Sequence, residues 1–97
     1  MATLKKWNIV DHLGDKAVRE QYLADVFKDG DVEEIKRALF YVSQAEGIEK
    51  VAKKANLNRE SLYKMFRANS KPRFESILKI MQALGLNFNI VIARSSN

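Results

Sequence analysis

The sequence predicts one mainly α-helical domain, of about five helices, closed by a single β-strand. Three features predict it. Apolar residues recur at helical spacing through most of the chain, capping side chains and glycine or asparagine stops punctuate those runs, and the period falls to two after Gly85. The 97 residues are one domain's worth, with no repeat, low-complexity segment or long linker to divide residues 1–97.

Asp15 is placed to cap a helix over 16–28, with Val18, Tyr22, Val26 and Phe27 on one face. Asp29-Gly30 interrupts it. Asp31, with Glu34 three residues on, makes a capping box for a helix over 32–46. Ile35, Ala38, Leu39, Val42 and Ala45 form its apolar stripe, and Gly47 supplies a left-handed stop. Short helices are expected over 49–55 and 59–67. Pro72 holds Lys71 extended, so no helix passes through 68–73. A last helix over 74–84 turns Phe74, Ile77, Leu78, Met81 and Leu84 inward, and Gly85 closes it. Phe88, Ile90 and Ile92 then alternate with Asn89, Val91 and Ala93, which predicts a strand over 87–93. The tail Ser95-Ser96-Asn97 is expected to fray.

Residues 48–67 carry the functional pattern, that of a helix-turn-helix. Two short helices that cross closely need a small residue on the first, and Ala52 provides it between Val51 and Ala55. The turn needs a residue tolerant of positive φ, and Asn56 is the best substitute for glycine. Leu57 packs beneath the turn, Asn58 caps the second helix, and Leu62, Met65 and Phe66 give that helix its buried stripe. The 100° helical step then puts Glu60, Lys64 and Arg67 on the outer face, with Tyr63 on its shoulder. Asn58 and Arg59 stand at the helix start, the end that approaches base edges in this motif. Arg59 and Lys64 suit guanine, Asn58 adenine, and Glu60 the amino group of cytosine. Glu60 and Lys64 also have the spacing of a plain surface ion pair. Lys50, Lys53, Lys54, Lys71 and Arg73 suit backbone phosphates.

Charge distribution supports that assignment. Residues 1–47 hold seven Lys/Arg and nine Asp/Glu, a net of −2, whereas residues 48–73 hold eight and two, a net of +6. The basic excess therefore coincides with the motif, which points to a polyanionic partner.

The run from Ile48-Glu49-Lys50-Val51-Ala52 through Asn58-Arg59-Glu60-Ser61-Leu62-Tyr63, followed by Pro72-Arg73-Phe74 and Leu78 to Leu86, resembles the lambda-repressor-type DNA-binding domain. More narrowly, it is similar to the addiction-module antidote proteins, in which Arg-Glu-Ser-Leu-Tyr opens the recognition helix and Leu-Gly-Leu precedes a C-terminal strand. Tyr22 to Phe27 and Asp29-Gly30-Asp31 fit the same family, so the resemblance covers about residues 8–92. It implies a bacterial or phage antitoxin that binds a small RelE/ParE-like or HigB-like ribonuclease toxin and represses the operon encoding both, as a dimer on palindromic operator DNA. Two positions depart from the family pattern: Asn56 replaces the commoner glycine, and Glu49 stands where Ser or Thr usually caps the first helix. The alternative is a stand-alone, Cro-like phage repressor with no toxin; a third is a helix-turn-helix used only to bind protein.

A lone strand needs a partner for its backbone groups. Pairing between two copies through Phe88, Asn89, Ile90, Val91 and Ile92 is the favoured solution. The others are the edge of a toxin's sheet, a packed tail, or a short strand over residues 5–10. Other features exclude other classes. There is no cysteine, so no disulfide or thiolate site exists. His12 has no partners at metal or catalytic spacing, and the acidic run Asp29, Asp31, Glu33 and Glu34 lacks calcium-loop spacing. No metal, cofactor or enzymatic activity is expected. No run reaches the ~18 apolar residues of a membrane span. The N-terminus lacks the form of a signal peptide, so a cytoplasmic protein is expected. Trp7 is read as an anchor of the N-terminal segment onto the core, with a partner contact as the alternative.

Overall fold

The computed structural model describes residues 6–92, with side chains from Ile9 onward. Among these residues there are six helices in order: α1 (Lys6–His12), α2 (Lys16–Asp29), α3 (Val32–Glu46), α4 (Ile48–Lys54), α5 (Arg59–Met65) and α6 (Phe74–Ala83). Helix α3 packs on α1, α2 and α4, and α4 in turn packs on α5 and α6. The core runs from Leu13 and Leu23 through Leu39 and Val42 of α3 to Val51, Leu62 and Ile80.

The caps explain where helices start and stop. Asp15 accepts from the Ala17 and Val18 amides at 2.8 and 3.3 Å. Asp31 and Glu34 form the reciprocal capping box, at 2.9 and 3.0 Å. Two helices end in Schellman motifs. At α4, Asn56 has φ 59; its amide donates to Lys53 O (3.1 Å) and the Leu57 amide to Ala52 O (2.8 Å). At α6, Gly85 has φ 78, and the amides of Gly85 and Leu86 donate to Gln82 O and Met81 O at 3.0 and 2.8 Å. Gly47 has φ 116 and ψ 109, a conformation outside the left-handed helical region that glycine alone reaches readily. Gly30 is needed for closeness, since its φ is an ordinary −84. A Cβ there would lie 2.7 Å from Val26 O.

Several expectations are corrected. Residues 6–10 offer no strand, because α1 begins at Lys6, and residue 5 lies outside the described residues; Ile9, Val10 and Leu13 have helical spacing, and Leu13 is buried. On α2, Tyr22, Val26 and Phe27 pack against the core as expected, but the buried residue is Leu23, and Val18 is exposed. Phe74 is not inward: it is 67% exposed and stacks on Phe88, with ring centroids 5.6 Å apart. Helix α5 stops at Met65, two residues short of expectation.

The C-terminal strand is not present among the described residues, where 86–92 carry neither helix nor strand. The physical reason is that alternation alone makes no strand: a ladder needs a second backbone, and none of the described residues provides one. Position 93 and Trp7's side chain lie outside the description.

Candidate functional site

Helices α4 and α5 meet across the turn 55–58, and the small residues make this possible. Ala52 and Ala55 are buried between them, and Leu62 of α5 is fully buried. Asn58 Oδ1 accepts from the Ser61 amide at 2.7 Å, capping α5. That bond fixes the Asn58 rotamer and engages one of its oxygen lone pairs.

Asn58, Arg59, Glu60, Tyr63, Lys64 and Arg67 are all exposed. Arg59 makes two side-chain contacts there. Its Nη1 donates to Glu49 Oε2 at 3.1 Å, and its guanidinium carbon lies 5.9 Å from the Tyr63 ring centroid. Tyr63 is itself held edge-on by Phe40 of α3, at 5.6 Å between centroids. Glu60 and Lys64 form no ion pair with each other among the described residues; the pair at this corner is Arg59–Glu49 instead.

The basic residues divide into groups. Lys53 lies with Asn56, Asn58 and Arg59 around a shallow depression at the turn. Lys50 pairs with Glu46 at 3.0 Å. Lys54 points elsewhere, to the rim of a cleft of about 470 Å³ shared with Lys16, Arg19, Lys79 and Leu86. Lys71 and Arg73 are exposed in the loop before α6. Lys53, Lys54, Lys64, Arg67, Lys71 and Arg73 make no ion pair among the described residues.

The loop after α5 has an anchor that sequence reasoning missed. Lys36 of α3 is 3% exposed; its Nζ donates to Ser70 O at 2.8 Å and to Glu33 Oε2 at 3.2 Å. Glu33 Oε1 accepts from the Asn69 amide at 3.4 Å. A buried ammonium persists only with such partners. The clamp ties α3 to the segment that carries Lys71 and Arg73, and Asn69 takes φ 67 there. The available signal was a lysine one position along from Ile35 and three before Leu39, beside the apolar stripe. Glu33, a member of the acidic run, belongs to this clamp.

Glu46 forms a second charged junction. Arg19 of α2 donates to it and Lys50 approaches its other oxygen. The Arg19 hydrogen bond, with that of Lys50 second, holds the Glu46 carboxyl below its ordinary value of 4.5. Among the described residues there is no group of His, Asp and Glu able to hold a metal, and no helix is long and apolar enough to cross a membrane.

The predicted pairing residues Phe88, Asn89, Ile90, Val91 and Ile92 are all exposed, Ile90 at 92%. Phe74, Phe88, Ile90, Val91 and Ile92 are thus large apolar side chains exposed among the described residues, the last four in the segment that follows the cleft residue Leu86.

Comparison with known proteins bears on this arrangement. No solved structure matches the chain. An uncharacterized protein of Haemophilus influenzae is 30% identical over 91 residues, 94% of each chain. Residues 3–92 match the family model described as probable addiction module antidote protein. A family of antidotes implies a cognate toxin as partner and a regulatory rather than catalytic role. With nearly its whole length matched, this chain belongs to the family of probable addiction module antidote proteins.

Proposed function

We propose that this protein is the antitoxin of a type II toxin–antitoxin module. In this reading it neutralises a small RelE/ParE-like toxin and represses its own operon by binding operator DNA with α4–turn–α5 as a helix-turn-helix in a lambda-repressor-like domain. The observation that carries the DNA part is the set of exposed cations around α5 and the loop after it, Lys64, Arg67, Lys71 and Arg73, which make no ion pair among the described residues. Helix α5 would lie in the major groove with Asn58, Arg59, Glu60, Tyr63, Lys64 and Arg67 toward bases. Lys53, Lys71 and Arg73 would neutralise phosphates, with Lys50 joining them if it leaves Glu46. Lys54, on the cleft side, is the weakest member of that set.

Residues 87–92 are proposed to pair with the same segment of a second copy. A homodimer would place two α5 helices on successive turns of a palindromic site. The toxin partner follows from family membership, and a cytoplasmic setting fits both partners.

The test has two arms. Arg59→Ala and Lys64→Ala should weaken binding to the preferred duplex more than to unrelated DNA, whereas Lys53→Ala should weaken both alike and reduce the salt slope by about 1. Equal loss on both duplexes for Arg59→Ala would refute base reading by α5. Co-purification with the product of the adjoining gene tests the antitoxin role. DNA binding without any such partner would instead favour the stand-alone repressor.

A further inference from the structure

We infer that Glu49 is a specificity-determining positioning residue, which aims Arg59 at a guanine and keeps it off the phosphates. The inference rests on the reading of α5 as a recognition helix. Glu49 lies in the first turn of α4 and Arg59 is the first residue of α5, so their contact spans two helices across the turn. The carboxylate takes Nη1 at 3.1 Å, and the Tyr63 ring lies 5.9 Å from the guanidinium carbon. Tyr63 in turn packs edge-on against Phe40 of α3, with ring centroids 5.6 Å apart.

The side chains of Glu49 and Arg59 are 80% and 59% exposed, so this pair is no prop for the fold. Exposed ion pairs contribute little to stability. Its consequence is directional. A free arginine at a helix start bonds any phosphate within reach and reads no sequence. With Nη1 engaged, the fork formed by Nε and Nη2 remains, the planar pair of donors that matches guanine O6 and N7. The Glu49 carboxylate also repels phosphate, which disfavours a docking register that brings Arg59 to the DNA backbone.

The test uses the full chain. The wild type first enriches a preferred duplex from a randomised pool. Anisotropy titrations then measure wild type, Glu49→Ala, Arg59→Ala and the double variant. The targets are that duplex, its single-base-pair variants and an unrelated duplex, each over a salt series. Glu49→Ala should bind the unrelated duplex more tightly and show a steeper salt slope. Its discrimination at the Arg59-dependent base pair should fall at least about fivefold, the low end of one bidentate contact. In the Arg59→Ala background, Glu49→Ala should lower discrimination no further. Unchanged discrimination in Glu49→Ala overturns the inference, as does an equal loss in the Arg59→Ala background. An enriched duplex whose recognition ignores Arg59 overturns it while leaving DNA binding standing. A pool that yields no enriched duplex sinks the recognition-helix reading and this inference with it.

Discussion

Replacing Asn56 tests how the α4–α5 turn is made. The residue sits at φ 59, and both Schellman hydrogen bonds, at 3.1 and 2.8 Å, depend on that conformation. A residue with a Cβ loses about 1–2 kcal/mol in the left-handed region, and asparagine loses least. Asn56→Ala should therefore destabilise by about 1 kcal/mol. Asn56→Val should cost about 2 kcal/mol, because β-branched residues fit this region worst. Asn56→Gly removes the φ cost but gives the unfolded chain about 0.4–1 kcal/mol more entropy. The two effects nearly cancel, so glycine should match the wild type closely. In a domain of this size about 1 kcal/mol moves the melting temperature by about 4–8 °C. Thermal and urea melts of the three variants read the order Asn ≈ Gly > Ala > Val. A glycine variant as unstable as the alanine one would show that handedness is not what the turn requires, and the argument would fail.

Glu33→Ala leaves the buried Lys36 ammonium with Ser70 O as its remaining partner and should cost about 1–3 kcal/mol. Amide exchange at Asn69 and Ser70 should accelerate more than at core amides such as Leu39; equal acceleration would show no local clamp. Glu46→Gln tests the second junction through pH. The Glu46 carboxyl is lowered, so its stabilisation is complete above the ordinary value of 4.5 and fades as pH falls through the lower folded value. Wild type should thus exceed the glutamine variant at neutral pH and converge with it in acid, and a constant gap down to the acid limit would contradict this. Removal of residues 87–97 should yield a monomer in sedimentation velocity, whereas a truncated chain that still sediments as a dimer would refute the tail-mediated interface.

Much of the helical scaffold was legible because its signals are local. Asp15, Asp31 with Glu34, Asn56, Asn58 and Gly85 each act within a few residues of themselves, and each is found as expected. The stripe on α3 was equally readable, since Ala38, Leu39 and Val42 are all buried. What stayed hidden depends on partners far along the chain. Lys36 meets Ser70, 34 residues away, and no periodicity announces that. Arg59 pairs with Glu49 across a turn, although it was Glu60 and Lys64 that had the (i, i+4) spacing of a surface ion pair. Phe74 fits a helical stripe by spacing, yet it stands at the first turn, beyond the end of the core, and stacks on Phe88. The expected strand failed for a related reason: alternation at 87–93 encodes one half of a ladder, and the other half lies nowhere in the described chain.

The charges complete the physical picture. Many carboxylates of the N-terminal half are engaged internally: Asp15 and Asp31 cap helices, Glu33 holds Lys36, and Glu46 holds Arg19 and Lys50. None of them forms an ion pair with Lys53, Lys54, Lys64, Arg67, Lys71 or Arg73, which stay exposed among the described residues. Like charges so gathered repel one another and weaken the free fold. Added salt should screen that repulsion, with a Debye length falling from about 30 Å at 0.01 M to about 8 Å at 0.15 M. The melting temperature of the free protein should accordingly rise with salt over this range, while affinity for the proposed DNA partner should fall. These opposite trends separate a surface built for a polyanion from one balanced within itself. A melting temperature that drops as salt is added would mean that the attractive pairs dominate and that the basic half carries no unrelieved repulsion.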